Sequence, residues 1–316
     1  MTGLLTPATP TPAASAMAAL TAAFCWTVAT LLWRGLPGAL TANQLNLCKT
    51  LLAFLLQLPL LALVRWPAGQ GGALLLLALS GVVGIAWGDS LFFSALRRLG
   101  SRRCLTLTAG GPALSALVGL VTLGEQPQAA QWLGIGLISL SVVLVARQGP
   151  PDSSRGPTAT DRVHWAGLAL ALAAMACGTA GALLARGALR SGEVPALLAA
   201  SVRLGGGTLA LAPVLVGMGK GPILGRSVER RWPTVLAATL LGTSAGIMLQ
   251  QMALIGLPGG LAVALLSTSP VMALPFARLE GDRPGRLGLL AALAATAGVS
   301  LVAGIPLPAP LLLGRD

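Results

Sequence analysis

Three ionisable residues stand where ionisable side chains are costly. Asp89 is set in the apolar run GIAWGDSLFFSAL, and Lys49 and Arg203 each lie inside other apolar runs. A charged Asp at the centre of a membrane helix costs about 2.5–3.5 kcal/mol on insertion scales, so such a residue faces a bundle interior or a wet cavity. Two readings of Asp89 stand. It is a proton-exchanging carboxylate or the partner of a substrate amine, or else it is held in an ion pair or hydrogen bond, for which Lys49 is a suitable partner. Lys49 and Arg203 sit roughly 9 Å into their runs at helical rise. They attract a substrate carboxylate or phosphate, or they snorkel toward the membrane surface, as long basic side chains do.

Other residues frame this trio. Trp26, Trp87, Phe92 and Phe93 lie within apolar runs of the first half, and the second half has Gly178, Ala245, Gln250 and Gln251 at the corresponding places. Aromatic walls from one half facing amides from the other would suit an amphipathic small molecule; packing or contact with lipid is the plainer role. Asn43, Gln44 and Asn46 open a run and read as interfacial. Gly84-x-x-x-Gly88 and Gly242-x-x-x-Gly246 are small-residue pairs that let helices approach closely. Pro112 and Pro270 fall inside runs, where a missing backbone donor kinks a helix.

Enzymatic and cofactor chemistry finds little support. Gly242-Thr-Ser-Ala-Gly246 satisfies a hydrolase nucleophile pattern, but His164, the one histidine, lies far along the chain and the first half has no serine there. Cys25, Cys48, Cys104 and Cys177 have no CxxC spacing and read as small apolar residues, not metal ligands. No phosphate-binding Gly-Lys loop is present. The expectation is a chain that is not an enzyme and carries no cofactor or metal.

The elements that position these residues follow from composition. Of 316 residues, 55% are hydrophobic and only 9% charged, with 41 glycines and a mean hydropathy of +0.81. A soluble domain carries about 25% charged residues. A water-soluble globule, a secreted disulfide scaffold and a disordered chain are thereby excluded. The net charge of +12 does not signal nucleic acid, because the basic residues are scattered in short connections where they set membrane topology.

With about 20 apolar residues needed per crossing, ten runs qualify: 14–33, 43–64, 73–95, 104–124, 128–146, 164–185, 194–216, 233–255, 260–279 and 286–304. Trp66, Trp132, Trp165 and Trp232 mark their ends, as interfacial tryptophans do. Residues 1–13 and 305–316 read as tails, with 1–13 disordered, and 147–162 as a linker between the units 14–146 and 163–304.

Those units are copies. CWTVATLLWRG (25–35) matches CGTAGALLARG (177–187). Lys49 and Pro59 align with Arg203 and Pro213, Gly84 and Gly88 with Gly242 and Gly246, and Pro112 with Pro270. SVVLVA (141–146) matches GVSLVA (298–303). Five spans per copy is an odd number, so the second copy enters the membrane from the opposite side. The expected fold is an all-α integral membrane protein of ten helices in two inverted five-helix repeats, an architecture common among secondary transporters.

At these residues the chain resembles the EamA family of the drug/metabolite transporter superfamily. The resemblance rests on Ala95-Leu96, Pro112, Gly124-Glu125 and the glycine-rich fifth span, and it returns in copy two as Ala253-Leu254, Pro270 and the late glycines. Copy two has Gly281-Asp282 where the family pattern has Gly-Glu. The resemblance covers about residues 15–304 and implies export or uptake of small metabolites across the cell membrane, without naming a substrate.

The resulting expectation is a secondary transporter, most simply an exporter, of amino-acid-like or other small organic solutes, with protons as the candidate coupling ion and Asp89 as their site. A multidrug exporter of hydrophobic cations and a membrane scaffold are the alternatives. Most basic residues, among them Arg97, Arg98, Arg147, Arg226, Arg230 and Arg231, fall on one side. Arg65, Arg186, Arg190 and Arg315 fall on the side of the termini. The positive-inside rule then places both termini outside.

Overall fold

The structure, a computed structural model, describes residues 9–34, 41–99, 104, 107–147, 161–216, 232–276 and 286–304. These residues form helices and their connections. In chain order the helices are α1 (Pro12–Arg34), α2 (Ala42–Gln57), α3 (Gly71–Leu99), α4 (Gly111–Leu123), α5 (Ala129–Ala146), α6 (Asp161–Leu189), α7 (Ala196–Leu211), α8 (Trp232–Gly256), α9 (Gly259–Phe276) and α10 (Arg286–Ala303).

Polar residues at the helix starts do the work expected of them. Thr11 Oγ1 accepts from Ala14 N at 3.2 Å, with Pro12 opening α1, so the helix starts two residues ahead of the expected span at 14. Thr41 and Gln44 form a reciprocal capping box on α2.

Among the described residues, eight helices are long and apolar enough to cross a membrane. The two that fall short of the ten-span expectation are α4, with 13 residues, and α7, with 16. Both shortfalls have a proline cause. Pro112 opens α4 after a turn at Ala109–Gly110 instead of sitting inside one long helix, and Pro213 follows the end of α7. Pro270 acts in the same way. The first part of α9 ends at Leu266, and a new turn of helix starts at Ser269 with Pro270 in its first positions. The prolines expected to kink spans four and nine therefore interrupt them. The break in α9 is stitched to α1, where Thr27 Oγ1 donates to Ser269 O at 2.9 Å.

A second irregularity is shared by the copies. In α3 the segment Gly81–Asp89 is π-helical, and in α8 the segment Thr239–Ala245 is. Gly81 and Thr239 are repeat equivalents, so both wide segments begin at the same place in the copy. A π segment disturbs the ordinary i→i−4 ladder, and here side chains serve its carbonyls. Asn46 Nδ2 donates to Ile85 O at 2.8 Å. Trp26 Nε1 donates to Gly242 O at 2.8 Å, and Gln57 Nε2 to Ser244 O at 3.1 Å.

The packing obeys the sequence repeat. In α3 and α6, Gly84 meets Gly181, and Gly88 meets Cys177 and Gly178. In α8 and α1, the equivalents, Gly242 meets Ala29 and Gly246 meets Trp26. Three further pairs join a helix to its own copy. Phe54 and Gln57 of α2 meet Gly205 and Ser201 of α7. Ala116 of α4 meets Gly260 of α9. Gly134 and Ile138 of α5 meet Val302 and Gly298 of α10. In α2·α7 and α5·α10, contact positions advance in one helix as they recede in the other, so each pair is antiparallel.

Candidate functional site

The π segment of α3 ends at Asp89, and there the charged residues converge. Lys49 Nζ of α2 donates to Asp89 Oδ2 at 2.5 Å. The same ammonium lies 5.1 Å from the centroid of the Phe93 ring, a cation–π distance. The Asp89 side chain keeps 38% of its surface, whereas Lys49 keeps 14%. The ion-pair reading of Asp89 is thus the arrangement present. Lys49 turns into the protein and does not snorkel.

Arg203 comes from the second copy. It is 3% exposed, which removes the snorkelling reading for it as well. Its Nη1 donates to Gln250 Oε1 at 3.0 Å. A Cβ added to Gly84 would lie 3.4 Å from its Nη2, so the guanidinium rests against the bare backbone of the α3 π segment. Its Nε is buried without a hydrogen-bond partner. Beside it, Gln251 is fully buried. Its Nε2 donates to Ile247 O at 3.2 Å and approaches Gln250 Oε1 at 3.5 Å, and its Oε1 has no donor.

Lys49 and Asp89 between α2 and α3, and Arg203, Gln250 and Gln251 between α7 and α8, therefore form one cluster through the α3 π segment, which ends at Asp89 and seats Arg203 on Gly84. Of the aromatic candidates, Phe93 joins it through Lys49, and Trp26 does not. Trp26 is spent on the carbonyl of Gly242, where Gly246 makes room for its indole. Trp87 is 56% exposed. Gly84, Gly88, Gly242 and Gly246 stand at helix crossings, with Gly84 also seating Arg203. Asn46, read as interfacial, is fully buried. It binds the Ile85 carbonyl and Ser90 Oγ (3.1 Å) just beside Asp89. Its position three residues before Lys49 put it on the same helix face, and that spacing was the signal available for it. Gln57, Ser201 and Ser244 form a similar chain, with Ser201 Oγ donating to Gln57 Oε1 at 2.8 Å.

A second ion pair lies elsewhere, at one end of the bundle. Gly124 ends α4 with φ at +64°, a left-handed conformation suited to glycine, and this delivers Glu125 into the interior. Glu125 Oε1 accepts from Arg186 Nε at 2.9 Å, and Oε2 accepts from Gly259 N, the first residue of α9, at 2.7 Å. Arg186 Nη1 donates in turn to Leu254 O and Ile255 O at the end of α8. Arg186 is therefore a structural clasp between copies and not a loop charge, and Arg190 likewise caps α4 at Leu123 O.

A multi-pass helical bundle made of two related halves is an architecture common among membrane transporters. The EamA-like transporter family model matches residues 13–147 and 165–304. The chain belongs to that family, and is a transporter of the drug/metabolite type. Its members are transporters, not enzymes. A search of curated proteins returns no match. One solved structure, titled only as a crystal structure of a protein, superposes with a TM-score of 0.72 at 16% identity, covering 91% of this chain and 95% of that one. That likeness shows the fold alone.

Proposed function

We propose that the chain is a secondary transporter that moves small organic solutes by alternating access, with substrate meeting the Lys49–Asp89–Arg203–Gln250–Gln251 cluster. The observation carrying this reading is Arg203, a buried cation from one copy, resting against Gly84 in the π segment of the other copy, which ends at the Lys49–Asp89 pair. A charge that deep is retained where a solute or ion path needs it. Two inverted five-helix repeats and ten spans are part of the reading. The antiparallel pairing of α2 with α7 and of α5 with α10 supports inversion, because a two-fold axis in the membrane plane makes a helix antiparallel to its own copy.

Export across the cell membrane is the favoured direction, on the family resemblance. A proton-carrying role for Asp89 requires the Lys49 pair to open during the cycle. A hydrophobic-cation exporter fits less well, since Asp89 is already engaged and Arg203 repels a cation.

The test compares the culture medium of cells expressing the wild type with that of cells expressing Asp89→Asn at matched membrane levels, by untargeted metabolite profiling. A solute enriched outside by the wild type and returned to vector level by the variant is the expected result. A non-transporting scaffold would leave the medium unchanged and give no solute flux in proteoliposomes.

The termini are placed outside. This assignment rests on the distribution of basic residues between the two sides. A C-terminal reporter active only in the cytoplasm is therefore expected to stay silent; strong activity would reverse the assignment.

A further inference from the structure

We infer that the cluster takes a small organic monoanion, its carboxylate on the Nε edge of Arg203 and a neighbouring hydroxyl donating to Gln251 Oε1. The inference rests on the transport reading of this site and adds the chemical class of the ligand.

The first observation is a charge balance. Lys49, Asp89 and Arg203 carry two positive charges and one negative. The carboxylate is already committed to Lys49 at 2.5 Å. Arg203, at 3% exposure, is left with a neutral amide on Nη1 and nothing on Nε. A buried cation without a counter-charge pays the full cost of desolvation, and Asp89 offsets it only at a distance. One more negative charge neutralises the site. A dianion would overshoot and a zwitterion would leave the surplus in place. Guanidinium also matches a carboxylate in geometry, through its planar fork of donors.

The second observation is independent of charge. Ile247 O can only accept, so the Gln251 amide nitrogen that bonds it at 3.2 Å is fixed in place, which leaves Oε1 as an acceptor buried without a donor. Gln250 Oε1 touches both Arg203 Nη1 and Gln251 Nε2, so the two unsatisfied groups flank a single side chain. An acceptor beside an anion-seeking guanidinium calls for a ligand with a donor next to its carboxylate. Leaving either buried group unmatched is what gives such sites their selectivity.

A matched three-carbon series separates these terms: lactate has the anion and the hydroxyl, propanoate the anion alone, alanine is a zwitterion, and propane-1,2-diol is neutral. The probes are small enough to enter a site built for a larger acid. The purified full-length protein in detergent is titrated with each, at constant ionic strength made up with sodium chloride, and its thermal midpoint is followed. Lactate is expected to stabilise at concentrations about ten-fold lower than propanoate, the usual effect of a hydrogen bond to a buried polar group, with alanine and the diol weaker still. Gln251→Leu is expected to bring lactate and propanoate together. Arg203→Gln is expected to abolish both; should that variant fail to fold, Gln251→Leu carries the test.

Equal stabilisation by alanine or the diol, or no stabilisation by any of the four, overturns the inference. Solute flux is measured in parallel in proteoliposomes. Flux without lactate binding sinks the ligand class and leaves the transporter. Lactate binding without flux of any solute sinks the transport reading and leaves an anion site.

Discussion

Glu125→Ala is expected to lower the thermal midpoint of the solubilised protein more than any single substitution in the charged cluster. The substitution does three things at once. It leaves Arg186, 14% exposed, without its carboxylate. It orphans the N–H of Gly259, which now donates to Glu125 Oε2 at 2.7 Å. It also removes the anion from the start of α9, where a helix N-terminus favours one. Breaking a buried pair from one side costs about 3–5 kcal/mol. The effect reaches across the molecule, because the clasp joins the ends of α4, α6 and α8 to the start of α9. Arg186→Gln should cost less, since an amide still offers donors to Leu254 O or Ile255 O. The double variant should cost less than the sum, as neither charge is then left alone. Strict additivity, or a wild-type midpoint in Glu125→Ala, would show that the pair does not hold the copies together.

Much of this architecture was legible because hydropathy and repetition are long-range signals averaged over many residues. Asp89, Lys49 and Arg203 stood out on cost alone, and the structure brings all three into one neighbourhood. What the sequence did not disclose is of two kinds. One is hydrogen-bond register. The π segments at Gly81–Asp89 and Thr239–Ala245 have the same hydropathy as ordinary helix, and only the unusual demand of their carbonyls for Asn46, Trp26 and Gln57 betrays them. The bond made by Trp26 was hidden for the same reason, since its partner, Gly242 O, is a backbone atom 216 residues away. The other kind is the fate of polar residues near span ends. Asn46 and Arg186 look interfacial by position, yet both are turned inward by partners from other helices. Pro112 and Pro270 were visible, but whether a proline bends or interrupts a helix depends on the turn before it. At Ser267–Thr268 that turn is closed by Thr268 Oγ1 donating to Leu265 O at 2.7 Å.

Gly181→Val is expected to leave the protein in the membrane and abolish transport. At this crossing of α6 and α3 a Cβ on residue 181 would lie 2.7 Å from Gly84 Cα and 3.0 Å from Gly84 N. These are backbone atoms and cannot rotate away, so α3 has to move. Overpacking of this kind costs about 1–3 kcal/mol, which a bundle of this size survives. The site does not survive it, because the displaced stretch is the π segment that carries Asp89 and seats Arg203 on Gly84. Shifting it breaks the 2.5 Å bond to Lys49 and the bond from Ser80 Oγ to Gly181 O at 2.8 Å. Gly178→Ala, one turn away on the same helix, is the control, since a Cβ there has nothing within 4 Å; it should transport like the wild type. The copies differ at this point in an instructive way. The equivalent of Gly181 in α1 is Ala29, so the second crossing already accommodates a Cβ against Gly242, and the crossing that lacks it, α6 against α3, is the one whose π segment holds the carboxylate. If the Val variant transports normally while Gly178→Ala also does, the position of Asp89 is not set by this crossing, and the cluster must be held by Asn46 and Lys49 of α2 instead.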